Sequence, residues 1–326
     1  MQLGKYMILF LSIFGILNFT IIAETQSGQH APKPPRGYAN HTLLKAAAAL
    51  KLLKLVNLKP EVPENLNAYK DIEYKRVDDH ALKLDIYQPK NLQHPVPGLI
   101  FIHGGSWKSG HKEDYLVYLI AFAERGYVTA SISYRFSQEA IFPAAVADAK
   151  CAVRYIRAHA KEYSIDPDKL AVIGGSAGGH LALMIGYSPE ATNLNGKCEF
   201  DSISSKVRAV VDLYGPTDLT TNFAISKKVV QDFIGKPYTE AKQTYQAASP
   251  LFYATADDPP TLIFHGTIDK IVPVKQSDRL KAKLDSLGVP CEYHKLKGWP
   301  HAMDAAVPVN EYCQYYMNEF FNKYLK

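Results

Sequence analysis

The sequence predicts an α/β fold in which a mostly parallel sheet of eight strands is covered on both faces by helices. Three observations carry that expectation. Short, continuous apolar runs alternate with longer helix-like segments along most of the chain, the pattern of buried parallel strands joined by helical crossovers. One run, Ala171-Val172-Ile173, opens into Gly174-Gly175-Ser176-Ala177-Gly178 and then a helix-compatible stretch from Leu181 to Tyr187. That arrangement sets a serine on a strained strand-to-helix turn above a sheet. Finally, the interval from Thr217 to Pro260 carries no strand pattern and reads as a helical excursion over the sheet's carboxyl edge.

The first residues precede this fold. Lys5, the apolar run Met7 to Ile22 and the small residue Ala23 make a signal-peptide pattern over residues 1–23, with an uncleaved anchor as the alternative. The run is shorter than the roughly 20 residues a spanning helix needs, and Asn18 and Thr20 interrupt it. No cysteine follows it, which argues against a lipid anchor. Export, to a periplasm or outside the cell, is expected, with no stable membrane span in the mature chain. Residues 24–41 include Pro32, Pro34 and Pro35 and read as a flexible leader. Asn40-His41-Thr42 is a glycosylation sequon that matters only in a eukaryotic host. The Ala/Leu-rich stretch Thr42 to Leu58, with Lys45, Lys51 and Lys54, predicts a helix. It would cap the body, cover an acyl site as a lid, or lie on a membrane surface. Residues 24–68 are therefore read as leader and cap, and 69–326 as the principal domain.

Within that domain, Asp71 to Val77 and Leu82 to Tyr87 alternate with period two around Asp78-Asp79-His80, which predicts an antiparallel hairpin. Apolar strands follow at Gly98–Ile102, Val128–Ile132, Leu170–Ile173, Val207–Leu213, Thr261–Phe264 and Cys291–Leu296. Helices are predicted at Tyr115–Glu124, Ala144–His159, Ser277–Leu287 and Asn310–Tyr324. The net charge of +5 is spread along the chain without a Lys/Arg block, so nucleic acid is not an expected partner. Oligomeric state is not legible. Four cysteines in an exported chain make disulfides plausible. Three connectivities are open to four cysteines; nearness in sequence favours Cys151 with Cys198 and Cys291 with Cys313. No metal-ligand spacing surrounds them.

Ligands of an open parallel sheet bind at the carboxyl ends of its strands, and three such ends carry unusual chemistry. The strand ending at Ile102 runs into His103-Gly104-Gly105-Ser106-Trp107, where adjacent glycines free backbone amides to face an oxyanion. The strand ending at Phe264 runs into His265-Gly266-Thr267-Ile268-Asp269, and the last strand leads to Gly298-Trp299-Pro300-His301. A serine nucleophile needs a base and an orienting acid. Ser176, Asp269 and His301 occur in the chain order nucleophile, acid, histidine. His265 is the rival base, read instead as a prop for the Asp269 loop, and Asp218 is the rival acid. His103 and His180 are read as structural hydrogen-bonders, and Asp148 as a surface or packing residue.

With these motifs in order, the chain resembles an α/β-hydrolase. Among those it is similar to secreted carbohydrate esterases of the acetyl-xylan and feruloyl type, and more distantly to the hormone-sensitive-lipase group. The resemblance rests on His103 to Trp107, Gly174 to His180, Tyr214-Gly215-Pro216-Thr217-Asp218 and His265 to Asp269, and extends from about Tyr69 to Leu325. Asp148 with Cys151-Ala152-Val153-Arg154, and Ser249-Pro250-Leu251, also fit. It implies a serine esterase acting on short or aromatic acyl esters through an acyl-enzyme, without metal or organic cofactor, on a small-molecule or carbohydrate ester. The oxyanion donors it implies are the amides of Gly105, Ser106 and Ala177; Ser106 stands where a third glycine is usual in the lipase pattern. Trp107 and Trp299 are expected to wall the substrate site. Alternatives are an amidase, formamidase or peptidase-like hydrolase, a short-chain lipid esterase, and a non-catalytic binding protein on the same scaffold.

Overall fold

Runs of β-branched and aliphatic residues become strands here because both of their faces are covered. Every residue of β3 (Val96–Ile102), β4 (Val128–Ile132), β6 (Ala209–Leu213) and β7 (Thr261–Gly266) is buried. With β1 (Leu66–Val77), β2 (His80–Pro89), β5 (Ile165–Gly175) and β8 (Cys291–Leu296) they form one eight-stranded sheet in the order β1-β2-β4-β3-β5-β6-β7-β8. Strands β3 to β8 are mutually parallel, while β2 runs antiparallel to both β1 and β4. The structure, a computed structural model, describes residues 31–326. The expected signal peptide at 1–23 lies outside the described residues.

Alternation along each strand divides the core into two. On β3, Ile100 and Ile102 join the cluster that also holds Val172, Leu181 and Leu280, whereas Leu99 and Phe101 join the cluster with Ile173, Phe122 and Phe321. The first face is covered by α3 (Ala144–Ala158), α4 (Ala177–Tyr187) and α8 (Lys275–Leu287), and the second by α2 (Leu116–Ala123) and α9 (Val307–Tyr324). Each fully buried Leu, Ile or Phe contributes about 1.5–3 kcal/mol relative to exposure. The predicted hairpin, strands and crossover helices are all present, with ends shifted by a few residues. The strandless interval folds as α5 (Asn222–Ile225), α6 (Lys228–Ile234) and α7 (Tyr238–Ala247). Among the described residues no helix is long and apolar enough to cross a membrane.

Four expectations need correction. The helix expected from Thr42 to Leu58 ends early: α1 spans His41–Ala49. Lys51 then adopts φ 56°, and the chain continues extended because its backbone finds partners elsewhere. Val56 N donates to Ala305 O (2.9 Å) and Val307 N to Lys54 O (2.9 Å); these long-range bonds outweigh local helix propensity. Part of the leader is also fixed, since Tyr38 N donates to Gly298 O at 2.9 Å. Asn40, read as part of a sequon, caps α1 by accepting from Leu43 N at 3.0 Å.

Asp148 is not a surface residue. It is fully buried and pairs with Lys75 (2.7 Å) and Arg135 (2.8 Å), tying α3 to β1 and to the segment after β4. Cys151 and Cys198 form a disulfide, whereas Cys291 and Cys313 are free thiols. The second pairing fails because the sheet stands between them. Cys291 packs on the face under α8, and Cys313 lies in the opposite core with α9.

Candidate active site

The turn after β5 is built by exclusion of side chains. A Cβ on Gly174 would be driven into the Gly178 carbonyl, and one on Gly178 into the Ile102 carbonyl. Glycine at both positions lets β5, α4 and β3 close on one another. Ser176 is left at φ 55°, ψ −120°, a strained conformation costing about 1–3 kcal/mol. Its hydroxyl projects from the strand end into reach of the loop after β8.

Three loops meet there. His301 Nε2 lies 2.9 Å from Ser176 Oγ, and His301 Nδ1 lies 2.6 Å from Asp269 Oδ2. A carboxylate can only accept, so Nδ1 carries the proton. In the neutral ring Nε2 is then the acceptor, and the serine hydroxyl donates to it. Asp269 is held from both sides: its Oδ1 accepts from the amides of Ile271 (2.8 Å) and Val272 (2.9 Å). Burial alone would raise this carboxyl, but hydrogen bonds from His265 and His301, the charge of His301 and the Val272 amide hold it well below the usual range.

The rivals resolve by their partners. His265 binds Ser277 Oγ (2.7 Å) and the Val272 carbonyl (2.9 Å), with Nε2 3.3 Å from Asp269. It props the acid loop. Asp218 accepts from Thr220 and pairs with Arg279; it ties the excursion to α8. His180 receives the Trp107 indole proton (3.2 Å) and donates to the Ala248 carbonyl (2.7 Å). Burial lowers its pKa to about 4. His103 lies stacked on Tyr134 with Nδ1 on the Gly104 carbonyl at 2.8 Å.

Around the serine, Gly105, Ser106 and Trp107 all have positive φ (103°, 58° and 57°), folding the loop after β3 back on itself. Ala177 is the first residue of α4, so its amide has no intrahelical acceptor. These are the three amide positions implied for an oxyanion, with Trp107 adjoining them. Five of the nine described non-glycine residues with positive φ, namely Ser106, Trp107, Ser176, Tyr214 and Ala302, cluster at this site.

One opening is lined by Ser176 itself, and a second lies against the glycine loop beside it. A cavity of about 150 Å³ is lined by Ser106, Trp107, Ser176, Ala177 and apolar residues including Phe223, Val229 and Val230. A cleft of about 230 Å³ is lined by Gly104, Gly105, Tyr214 and Ala302. Trp107 therefore lies where expected. Trp299 does not. It is buried in the core under α9, donates its indole proton to the Pro35 carbonyl (3.0 Å) and packs edge-on against Tyr38. It seats the leader beneath the histidine loop rather than walling the substrate site.

Sequence reasoning missed Tyr214 and Asp304. The Tyr214 ring lies 4.7 Å from the His301 ring, and its hydroxyl donates to buried Asp304, which Tyr118 also approaches at 3.4 Å. Burial raises the Asp304 carboxyl, opposed by these hydroxyls. Tyr214 opens a recognised motif and so left a signal. Asp304 left none, because its role arises only from burial.

The BD-FAE family model matches residues 84–284. A probable carboxylic ester hydrolase of Mycobacterium tuberculosis, LipM, is 32% identical over 72% of this chain and 56% of its own length. An isoprenylcysteine alpha-carbonyl methylesterase of Arabidopsis thaliana is 25% identical over 69% of this chain and 54% of its own. The chain thus spans a little over half the length of these curated relatives. Among solved structures, a truncated carbohydrate esterase from gut microbiota superposes with TM-score 0.70 at 28% identity, covering 79% of this chain and 95% of that one. Thermogutta terrifontis esterase 2, phosphonylated by cyclosarin, gives 0.69 at 29% identity, covering 83% and 97%.

Proposed function

Because the chain belongs to the BD-FAE family of the α/β-hydrolase superfamily, we propose that it is a serine esterase that hydrolyses carboxylic esters with Ser176, His301 and Asp269. The observation that supports this most is the hydrogen-bonded line from Asp269 through His301 to Ser176 at 2.6 and 2.9 Å. Ser176 Oγ attacks the ester carbonyl as its proton passes to His301 Nε2. The carbonyl oxygen becomes an oxyanion facing the amides of Gly105, Ser106 and Ala177; losing one such donor typically costs about 2.7–4 kcal/mol of barrier. The intermediate collapses, the leaving alkoxide takes the proton from His301, and an acyl-serine remains. Water, deprotonated by the same nitrogen, attacks the acyl carbon and restores Ser176.

The acyl group enters the cavity lined by Ser176. A space near 150 Å³ holds about one benzene-sized group, so short or single-ring aromatic acyl groups fit and long chains do not. A carbohydrate alcohol is the substrate side we favour, supported by the resemblance to a gut-microbial carbohydrate esterase. Export belongs to the same proposal. It is supported by the Lys5, Met7–Ile22, Ala23 pattern and by the Cys151–Cys198 disulfide, a bond that persists in oxidising compartments.

The test is p-nitrophenyl acetate hydrolysis with covalent labelling by a fluorophosphonate, comparing the unmodified chain with Ser176→Ala. Loss of both turnover and label is expected in the variant, and full turnover by it overturns the proposal. Methyl ferulate and acetylated xylan, run beside a p-nitrophenyl acyl-length series, test the substrate class. A peak at four to eight carbons would favour lipid esters instead.

A further inference from the structure

Hydrolysis of an ester separates two groups, and two spaces flank the glycine loop beside Ser176, one of them lined by the serine itself. The smaller cavity is lined by Ser176 and Ala177 and walled by the helical excursion through Phe223, Val229 and Val230. The cleft reaches the serine's neighbours rather than the serine itself. A Cβ on Gly104 would stand 3.4 Å from the Ser176 Cβ, and Gly104 and Gly105 form the cleft's inner edge. Opposite stand Tyr214, in ring contact with His301, and Ala302, the next residue in the chain.

The leaving oxygen must take its proton from His301 Nε2, so the alcohol lies on the imidazole side of the attacked carbon. Of the two spaces, the cleft borders the imidazole's neighbours. Its outer wall is unexpected. Val56 and Leu58 close it, and both lie outside the span 84–284 matched by the family model. The segment is fastened to the histidine loop by Val56 N to Ala305 O, Val307 N to Lys54 O and the antiparallel bridge between Leu55 and Ala306. Leu58 is 56% exposed, an apolar side chain that a bound group would cover.

We propose that the cleft is the subsite for the leaving alcohol, and that residues 53–58 select that alcohol by size through Val56 and Leu58. The inference rests on the esterase reading and goes beyond it by dividing the substrate between two spaces. The cleft is about half as large again as the smaller cavity, 230 against 150 Å³, so it takes a ring-sized alcohol. Polar atoms of Asp114 and Asn310 beside aliphatic Val56, Leu58 and Val117 suit a ring that carries both hydroxyls and an apolar face.

The experiment uses the full chain and two substrate series. One holds acetate constant and varies a primary alcohol from methyl through cyclohexylmethyl to 2-naphthylmethyl. The other holds p-nitrophenol constant and varies the acyl group from acetate to octanoate. Leu58→Trp narrows the cleft and is expected to lower the kcat/KM ratio of 2-naphthylmethyl over methyl acetate about tenfold, the scale of pocket-shape discrimination. The hexanoate-to-acetate ratio of the acyl series should stay within about twofold. Leu58→Ala, which introduces no clash, should move the alcohol ratio the opposite way. Val229→Trp should shift the acyl ratio and leave the alcohol ratio. If the Leu58 variants move the acyl series, or fail to move the alcohol series, the division is wrong although the chain is an esterase. An unmodified chain inactive on both series overturns the esterase reading and this division with it.

Discussion

Replacing Asp269 by asparagine tests the proton arrangement more sharply than removing the side chain would. Oδ1 of Asp269 accepts two backbone amides, Ile271 at 2.8 Å and Val272 at 2.9 Å. An asparagine must keep its carbonyl oxygen there, since its amide nitrogen cannot accept them. The NH2 group is then turned toward His301 Nδ1, where Oδ2 now stands at 2.6 Å. A donor at that position forces Nδ1 to accept and moves the ring proton to Nε2. The nitrogen facing Ser176 thereby loses its capacity as a base.

A triad histidine held in the wrong tautomer loses about 10⁴ in kcat, which is ~5.4 kcal/mol of barrier at ~1.36 kcal/mol per factor of ten. The same NH2 would face the His265 Nε2 proton, now 3.3 Å from Oδ2, adding roughly 1–3 kcal/mol of destabilisation for unsatisfied buried donors. Because the Asp269 carboxyl is held below its ordinary value, its stabilisation is fully present above the unfolded carboxylate pKa of about 4 and is lost as pH falls through the folded value. The stability difference between the two proteins should therefore shrink on acidification. The assay is p-nitrophenyl acetate turnover with a thermal melt at each pH to certify folding. A folded Asp269→Asn protein keeping more than about a tenth of kcat would refute the tautomer argument.

Two further outcomes are expected. Breaking the Cys151–Cys198 bond with Cys151→Ser/Cys198→Ser should lower stability by about 2–4 kcal/mol, given a sequence separation of 47, read as a shifted urea midpoint; an unmoved midpoint would remove the bond from the fold's support. Asp212 has Oδ1 on the Gly215 amide at 2.8 Å, while its buried Oδ2 has no partner among the described residues. Burial pushes this carboxyl up to about 7, against the Gly215 hydrogen bond. The folded state therefore retains a proton that the unfolded chain has released, and stability declines from about pH 4 to about pH 7 by up to ~4 kcal/mol. Asp212→Asn should abolish that part of the decline, and parallel urea-stability curves for the two proteins across this range would count against it.

Much of the site was legible because its requirements are local. Glycines 174 and 178 announce a close backbone approach wherever they stand, and strand ends can be read from the apolar runs that precede them. His265 and Asp218 stand at strand ends too, and only their partners in the fold set them apart from His301 and Asp269. The helix expected through Leu58 failed for the opposite reason. Its residues favour a helix, but the carbonyl of Ala305 and the amide of Val307, some 250 residues away in the chain, offer the backbone other partners.

The sheet, its crossovers, the strained serine turn and the chain order Ser176, Asp269, His301 could be read from the chain, since period, glycine placement and strand-end chemistry act over a few residues. Which side of the sheet each side chain occupies was settled by packing. That choice left Cys291 and Cys313 unpaired on opposite faces, sent Trp107 to the cavity and Trp299 to the core, and buried Asp304 against Tyr214. The physical reason is that facing and burial depend on elements distant in the chain, packed to near-crystalline density, and no local pattern records which distant element arrives.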